Sequence, residues 1–348
     1  MKVLSLFDGI SAGRLALERS GIEVKKYYRS EIDKFANQVA DKNYPDSVSL
    51  GDVTKWKEWD IKWDEIDLLI GGSPCQGFSF AGKQLAFNDP RSALFFTYVD
   101  ILNHIKKHNP NVKFMLENVK MKKEHLNVIS EYLGVNPVLI NSSLVSAQNR
   151  QRYYWTNFEV TQPNDKGILL KDIIEDLPLN ESMPDNVVVF NTADNPRIKG
   201  ITEDERGFRP HKGDSAKSGV SECGRILKPT ASKADTVTSS HAPKVLVNES
   251  ATKQGKLYSL TASQGNCVAW NSIERKQRTM IPVCNSSDEN PNVYNNVLYR
   301  KLTPIECERL QTFPDNWTDC VSNSQRYKQM GNSWTVDVIS HIFNQMKD

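Results

Sequence analysis

The period of the apolar positions changes repeatedly over the first 160 residues, and each change marks an element. Val3-Leu4-Ser5-Leu6-Phe7 reads as a short buried strand. Asp8-Gly9 follows as a turn, and a helix runs through Arg14 to Arg19, with Gly21 where a helix-ending glycine belongs. Val24 to Arg29 reads as a second strand and Ile32 to Asn43 as a second helix. Asp67-Leu68-Leu69-Ile70 is a third apolar run, ending in Gly71-Gly72. Ala93 to Ile105 is helical, and Phe114-Met115-Leu116 is a fourth buried strand ending at Glu117. Strands alternating with helices predict an α/β fold with a parallel sheet. Such sheets bind ligands beyond the carboxyl ends of their strands. Asp8, Glu31, Gly71 and Glu117 fall at those ends.

From Thr161 the texture changes. Pro163, Pro178, Pro184, Pro196, Pro210, Pro229, Pro243, Pro282 and Pro291 recur among Gly, Asn and Ser, and helical periodicity is largely lost. Val187 to Phe190, Thr236 to Thr238 and Lys244 to Val247 read as short strands. Regular structure returns near Leu302. Thr303-Pro304-Ile305-Glu306 is a helix start with a Thr cap, Pro at the first position and a capping-box Glu. Val336, Ile339, Ile342, Phe343 and Met346 form an apolar stripe expected to pack against the N-terminal sheet. The expected organisation is a discontinuous first domain, 1–160 with 297–348, around a smaller strand- and loop-rich domain at 161–296.

Composition narrows the classes. A length of 348 residues predicts about two domains at roughly 150 residues each. Mean hydropathy is −0.52, and no run of about 18 apolar residues occurs, which excludes a membrane-spanning helix. Met1 to Asp8 is too short and wrongly flanked for a secretory signal, so a cytoplasmic protein with reduced thiols is expected. None of the six cysteines forms a Cys-x-x-Cys pair, which argues against a zinc ribbon, and no metal site is assigned. A net charge of +2 excludes a strongly basic nucleic-acid coat. Between Arg197 and Lys256 there are 12 Lys/Arg against 7 Asp/Glu, either a basic face or an ordinary solvated surface.

Several residues could carry chemistry. Phe7 to Gly13 joins a strand to a helix, and its glycines allow backbone to approach a ligand. The Gly-x-Gly-x-x-Gly fingerprint is absent. Glu31, at a strand end, could accept from both hydroxyls of a ribose, and Asp52, in Gly51-Asp52-Val53, from an exocyclic amine. Singly, each acid reads equally as a surface charge. Together with the loop they suggest an adenosine-containing ligand without a required pyrophosphate. Gly72-Ser73-Pro74-Cys75-Gln76-Gly77-Phe78-Ser79 puts a cysteine after a proline on a glycine-rich loop, either a reactive thiol or a small buried side chain. Glu117 ends a buried strand, where a carboxyl group can be held neutral and donate. Gln148, Arg150 and Arg152 share one face of an alternating segment that leads into Tyr153-Tyr154-Trp155, either a polar site or an exposed sheet face.

These residues, in this order, resemble the DNA (cytosine-5)-methyltransferase family over roughly 1–160 and 297–348. The resemblance rests on Phe7–Gly13, Glu31, Asp52, Pro74-Cys75-Gln76, Leu94-Phe95-Phe96, Glu117-Asn118-Val119 and Gln148–Arg152. It resumes at Arg300 to Cys307, Arg309 to Pro314 and Gly331-Asn332-Ser333. Leu6 to Ile10 and Ile70 to Cys75 are also similar to the eukaryotic de novo subgroup, while the compact chain looks bacterial or phage-like. Departures are Ser11-Ala12 in place of a second loop glycine, Ile32 beside the adenine, and Trp334 where a small aliphatic residue is usual.

The resemblance implies a Rossmann-like, S-adenosylmethionine-dependent sheet with a target-recognition domain. It implies catalysis by Cys75 and Glu117, with Arg152 orienting the base and Arg150 supporting the backbone. Phe7, Gly9, Glu31, Ile32, Asp52, Val53, Pro74, Leu94, Asn332 and Ser333 would hold S-adenosylmethionine. Gln76, Ser79 and Thr261 would meet the DNA. The implied partner is double-stranded DNA, approached by a monomer without a membrane, with a cognate restriction nuclease as a further candidate partner. Two alternatives stay open: methylation of tRNA cytosine, and a non-catalytic DNA-binding relative, which would not need Cys75 and Glu117.

Overall fold

Central strands buried on both faces read as near-continuous apolar runs, and the runs at residues 3–6, 68–70 and 114–116 are of that kind. In the computed structural model the first strands of the sheet are β1 (Lys2–Leu6), β2 (Lys26–Ser30), β3 (Val48–Ser49), β4 (Leu68–Gly71) and β5 (Lys113–Val119). All five lie parallel. After them come β6 (Val138–Asn141), β7 (Gln148–Asn149) and β8 (Gln151–Thr156). β8 joins β5 antiparallel and β6 joins β8 antiparallel, giving one seven-stranded sheet in the order β3-β2-β1-β4-β5-β8-β6. The order reverses direction between β1 and β4, so a crevice opens beyond their carboxyl ends. The structure describes residues 1–73, 93–175 and 297–347, together with short strands between 187 and 283.

Helices cover both faces. They are α1 (Ala12–Arg19), α2 (Lys34–Asn43), α3 (Ala93–His108), α4 (Lys123–Leu133), α5 (Pro304–Leu310), α6 (Asn323–Asn332) and α7 (Val336–Asn344). Alternate strand residues serve the two faces. Leu4, Leu6, Leu69, Phe114 and Leu116 pack with α3 and α4. Val3, Leu68, Ile70 and Met115 pack with α1, α2 and the C-terminal helices. No helix among the described residues is long and apolar enough to cross a membrane.

Helix α5 begins as its sequence predicts. Thr303 Oγ1 accepts from the Glu306 backbone N–H, and the Glu306 carboxylate accepts from Thr303 N–H. The stripe on α7 is core: Val336, Ile339, Ile342 and Phe343 are all fully buried. Its nearest partner is α1, where Ser20 Oγ donates to the Ser340 carbonyl at 3.0 Å. Glu308 is fully buried between α5 and α6. It accepts from Asn316 N at 2.7 Å, Thr318 N at 2.9 Å and Arg326 Nη2 at 2.9 Å, so its charge is matched on all sides.

Residues just after Thr161 belong to the same body. Thr161 N–H donates to Gln345 Oε1 at 2.7 Å, and Leu170 and Ile173 are buried in the core. Glu175 N–H donates to Glu306 Oε1 at 2.9 Å, and Thr303 Oγ1 hydrogen-bonds the Glu175 carboxylate. Glu175 and Thr303, 128 residues apart, therefore meet at one place. Between them, Val187–Phe190 and Met280–Val283 flank Val297–Lys301 in an antiparallel sheet. Thr202–Asp204, Gly207–Arg209, Ile226–Leu227 and Lys244–Val245 form a second sheet. Leu257–Tyr258 pairs in parallel with β7. Thr236 to Thr238, expected as a strand, lies outside the described residues.

If α7 closes the core, Phe343→Ala should cost about 3–5 kcal/mol. Chemical denaturation followed by circular dichroism should show one cooperative transition at lower denaturant. An unchanged midpoint would mean that α7 does not belong to the folding unit.

Candidate active site

The loop after β1 is strained. Phe7 and Ser11, neither of them glycine, hold φ of 56° and 63°, and Gly9 between them holds 61°. Left-handed backbone costs of order 1–3 kcal/mol at each non-glycine residue and persists only where its surroundings enforce it. Asp8 enforces it here. Its carboxylate is buried and accepts from Tyr27 Oη and Ser11 Oγ, both at 2.7 Å. Burial, and then the Asp8 charge, push the Tyr27 hydroxyl well above the ordinary tyrosine range, so it stays a donor.

Glu31 ties this loop to the end of β2. One oxygen accepts from Gly9 N–H at 2.9 Å, the other from Ile32 and Asp33 N–H at 2.8 Å. Ile32 stands 77% exposed beside it, which is unusual for a large apolar side chain. Asp33 caps α2 and accepts from Lys328 Nζ on α6 at 2.7 Å, linking the C-terminal segment to this edge. Asp52 follows β3. Its Oδ1 accepts from the Thr54 backbone N–H at 2.9 Å and the Thr54 hydroxyl at 2.8 Å, and those bonds, in that order, hold its carboxyl below the usual range. Among the described residues nothing takes Oδ2. Val53, Phe7 and Leu94 pack in the same apolar cluster beneath.

The crevice fits an adenosine-containing ligand on three observations. A Cβ built on Gly9 meets nothing within 4 Å, so space is open above the strained loop. Ile32 offers an apolar face to whatever lies beside it. The Ser333 hydroxyl is buried with no partner among the described residues. Asn332 ends α6 directly before Ser333.

Glu117 stands across the crevice, 8% exposed, at the end of β5. Arg152 on β8 approaches Oε1 through Nε at 3.1 Å. Trp334 donates its indole N–H to Oε2 at 3.1 Å. Each oxygen thus has its own partner, from a different element. Gly72, leading out of β4, sits against the pair: an added Cβ would be 2.9 Å from Trp334 Nε1 and 3.0 Å from Glu117 Oε2. The three polar residues of one strand face turn inward to the C-terminal segment and the acid. Gln148 Nε2 donates to the Leu310 carbonyl at 2.7 Å, and Arg150 Nη2 to the Ser333 carbonyl at 3.0 Å. Arg150 thus fixes backbone, and Arg152 alone of the two arginines reaches Glu117.

Pro74, Cys75, Gln76, Ser79 and Thr261 lie outside the described residues. Two other cysteines can be weighed as nucleophiles. Burial pushes the thiol of Cys307 well up and that of Cys320 up, so neither favours a thiolate. Among the described residues no group of three or more His, Cys, Asp or Glu could hold a metal. Sequence reasoning missed Trp334 as a partner of Glu117 and Lys328 as a partner of Asp33. The only signal for the first was an unusual indole after Gly331-Asn332-Ser333.

The C-5 cytosine-specific DNA methylase family matches residues 1–348, the whole chain. The orphan methyltransferase M.SPRI of Bacillus phage SPR is 29% identical, covering 99% of this chain and 97% of that one. The type II methyltransferase M1.ScrFI of Lactococcus lactis subsp. cremoris is 30% identical, covering 99% and 77%. Among solved structures, the methyltransferase EhMeth of Entamoeba histolytica shares the fold, with a TM-score of 0.60 at 17% identity, covering 99% and 97%.

The Asp52 contacts make a titration prediction. Thr54→Val removes the hydroxyl donor but keeps the larger contribution, the backbone N–H. The Asp52 carboxyl should then titrate higher than in the wild type, yet still below an ordinary aspartate. A carbon-detected NMR titration checks this, and an unmoved titration would mean that the hydroxyl does not hold Asp52.

Proposed function

The chain belongs to the C-5 cytosine-specific DNA methylase family, and on that premise we propose that it methylates C5 of a cytosine flipped out of duplex DNA, through a covalent Cys75–C6 intermediate. The observation that carries this reading is the Glu117 carboxylate, fixed by Arg152 and Trp334 beside the loop that leads from Gly72 toward Cys75.

C5 of cytosine is a poor nucleophile. The Cys75 thiolate adds to C6, and the electron pair of the C5–C6 double bond is made available at C5. Glu117 meets N3 and the 4-amino group and stabilises the charge that develops there. Arg152 holds Glu117 and orients the base. Arg150 keeps the Gly331–Ser333 backbone in place. S-adenosylmethionine, when bound, supplies an electrophilic methyl group. Loss of the C5 proton returns its electron pair to the ring, which expels Cys75 and restores the double bond. A base inside a helix cannot reach such a site, so it must leave the stack.

Phe7, Gly9, Glu31, Ile32, Asp52, Val53, Pro74, Leu94, Asn332 and Ser333 are the residues that would hold the cofactor. Recognition of sequence is assigned to the strand- and loop-rich stretch 161–296, with Gln76, Ser79 and Thr261 near the flipped nucleotide. The pairing of Leu257–Tyr258 with β7 supports that placement, because it brings this stretch beside Arg150 and Arg152. The chain would act as a monomer in the cytoplasm on double-stranded DNA. A cognate nuclease is the further partner to look for, since relatives carry both type II and orphan names.

The test is covalent trapping. Duplex DNA carrying 5-fluorocytosine should form a gel-stable adduct, because fluorine cannot leave as the C5 proton does. Cys75→Ser should form none and should not turn over, yet should still bind DNA. An adduct formed equally well by Cys75→Ser would overturn the assignment. Methylation of total tRNA in preference to plasmid DNA would overturn the choice of substrate.

A further inference from the structure

Trp334 makes a contact that the proposed reaction does not by itself require. Its indole N–H donates to Glu117 Oε2 at 3.1 Å, while Arg152 Nε faces Oε1 at 3.1 Å. The last torsion of a glutamate side chain is broad, so one contact leaves the carboxylate free to turn. Contacts on both oxygens, from different directions, fix its plane.

The indole is itself held. On one side of it the Ser333 carbonyl accepts from Arg150 Nη2 at 3.0 Å. On the other, Thr335 is buried and its hydroxyl donates to Gln311 Oε1 at 2.8 Å. The ring fills space that two glycines leave. A Cβ on Gly13 would lie 3.3 Å from its Cζ3, and one on Gly72 would lie 2.9 Å from its Nε1. A side chain at Gly72 would therefore press on the donor and the acceptor together.

We propose that Trp334 is a positioning residue: its indole N–H, with Arg152, sets the plane in which the Glu117 carboxyl meets the cytosine. The inference rests on the reading of Glu117 as the group that contacts the base. It goes beyond that reading by giving the unusual indole a role in methyl transfer distinct from walling the cofactor crevice.

Trp334→Phe keeps a ring against Gly13 and Gly72 and removes the donor. Its single-turnover methyl transfer to duplex DNA should fall on the order of 10- to 100-fold, the scale of a misplaced reacting group. KM for DNA and S-adenosylmethionine affinity by calorimetry should stay near wild type, while the melting temperature falls modestly because Oε2 loses a partner, by too little to account for the lost rate. A second readout needs no turnover. The indole N–H resonance of Trp334, assigned by its disappearance in Trp334→Phe, should move in Glu117→Ala. A wild-type rate in Trp334→Phe, a loss matched by weaker cofactor binding, or an unmoved resonance would each overturn the inference. Wild-type protein that transfers no methyl group to DNA would instead overturn the reading of function beneath it.

Discussion

A carboxylate taken out of water costs several kcal/mol unless it is paired and hydrogen-bonded, and Glu117 is such a group. It closes a buried strand at 8% exposure, so the fold has to bring it partners. One comes from the neighbouring strand. The register of β5 and β8 sets Glu117 opposite Tyr154 and Val119 opposite Arg152, which puts Arg152 on the same face as the acid. The other, Trp334, comes from 217 positions further along the chain. The end of the chain must therefore return to the sheet. The apolar stripe of α7, the matched charge of Glu308 and the grip of Arg150 on residues 331–333 bring it back. Glu175 bonds both Thr303 and Glu306, which ties the segment that ends the first half of the chain to the start of α5.

The same constraint joins the two halves of the site. Loops leaving β1 and β4 flank the point where strand order reverses, one strained and open above Gly9, the other passing Gly72. The Trp334 ring lies against both Gly13 and Gly72, so the cofactor side and the base side share a wall. That shared wall requires glycine in two places, which a dinucleotide fingerprint would not have indicated.

Much of this was legible in the sequence, and the failures have physical reasons. The buried runs of β1, β4 and β5 are apolar because helices cover both faces, and they were read within a few residues of their ends. The capping box at Thr303 is a local signal and was read as such. β3 has two residues, too few for a period to show. α4 is preceded by Lys122, which makes no side-chain cap, so nothing marks its beginning. Residues 161–175 have no helical period, so the burial of Leu170 and Ile173 against the core left no mark in the sequence. Glu31 and Glu117 were legible as acids at strand ends, and Asp52 as an acid beside Gly51. The distant partners were not: Lys328 lies 295 residues from Asp33 and Trp334 lies 217 from Glu117, and no spacing rule reaches that far.

The account stands on Glu117 acting in the transition state rather than anchoring a strand end. Single-turnover methyl transfer by Glu117→Gln, measured beside DNA binding and a melting curve, tests this most directly. Gln keeps the size but cannot carry the charge or supply a proton. The account predicts a rate lower by about 10²–10⁴-fold with binding and melting nearly unchanged. A variant that keeps most of its rate, or loses it only as its melting temperature falls, would contradict it.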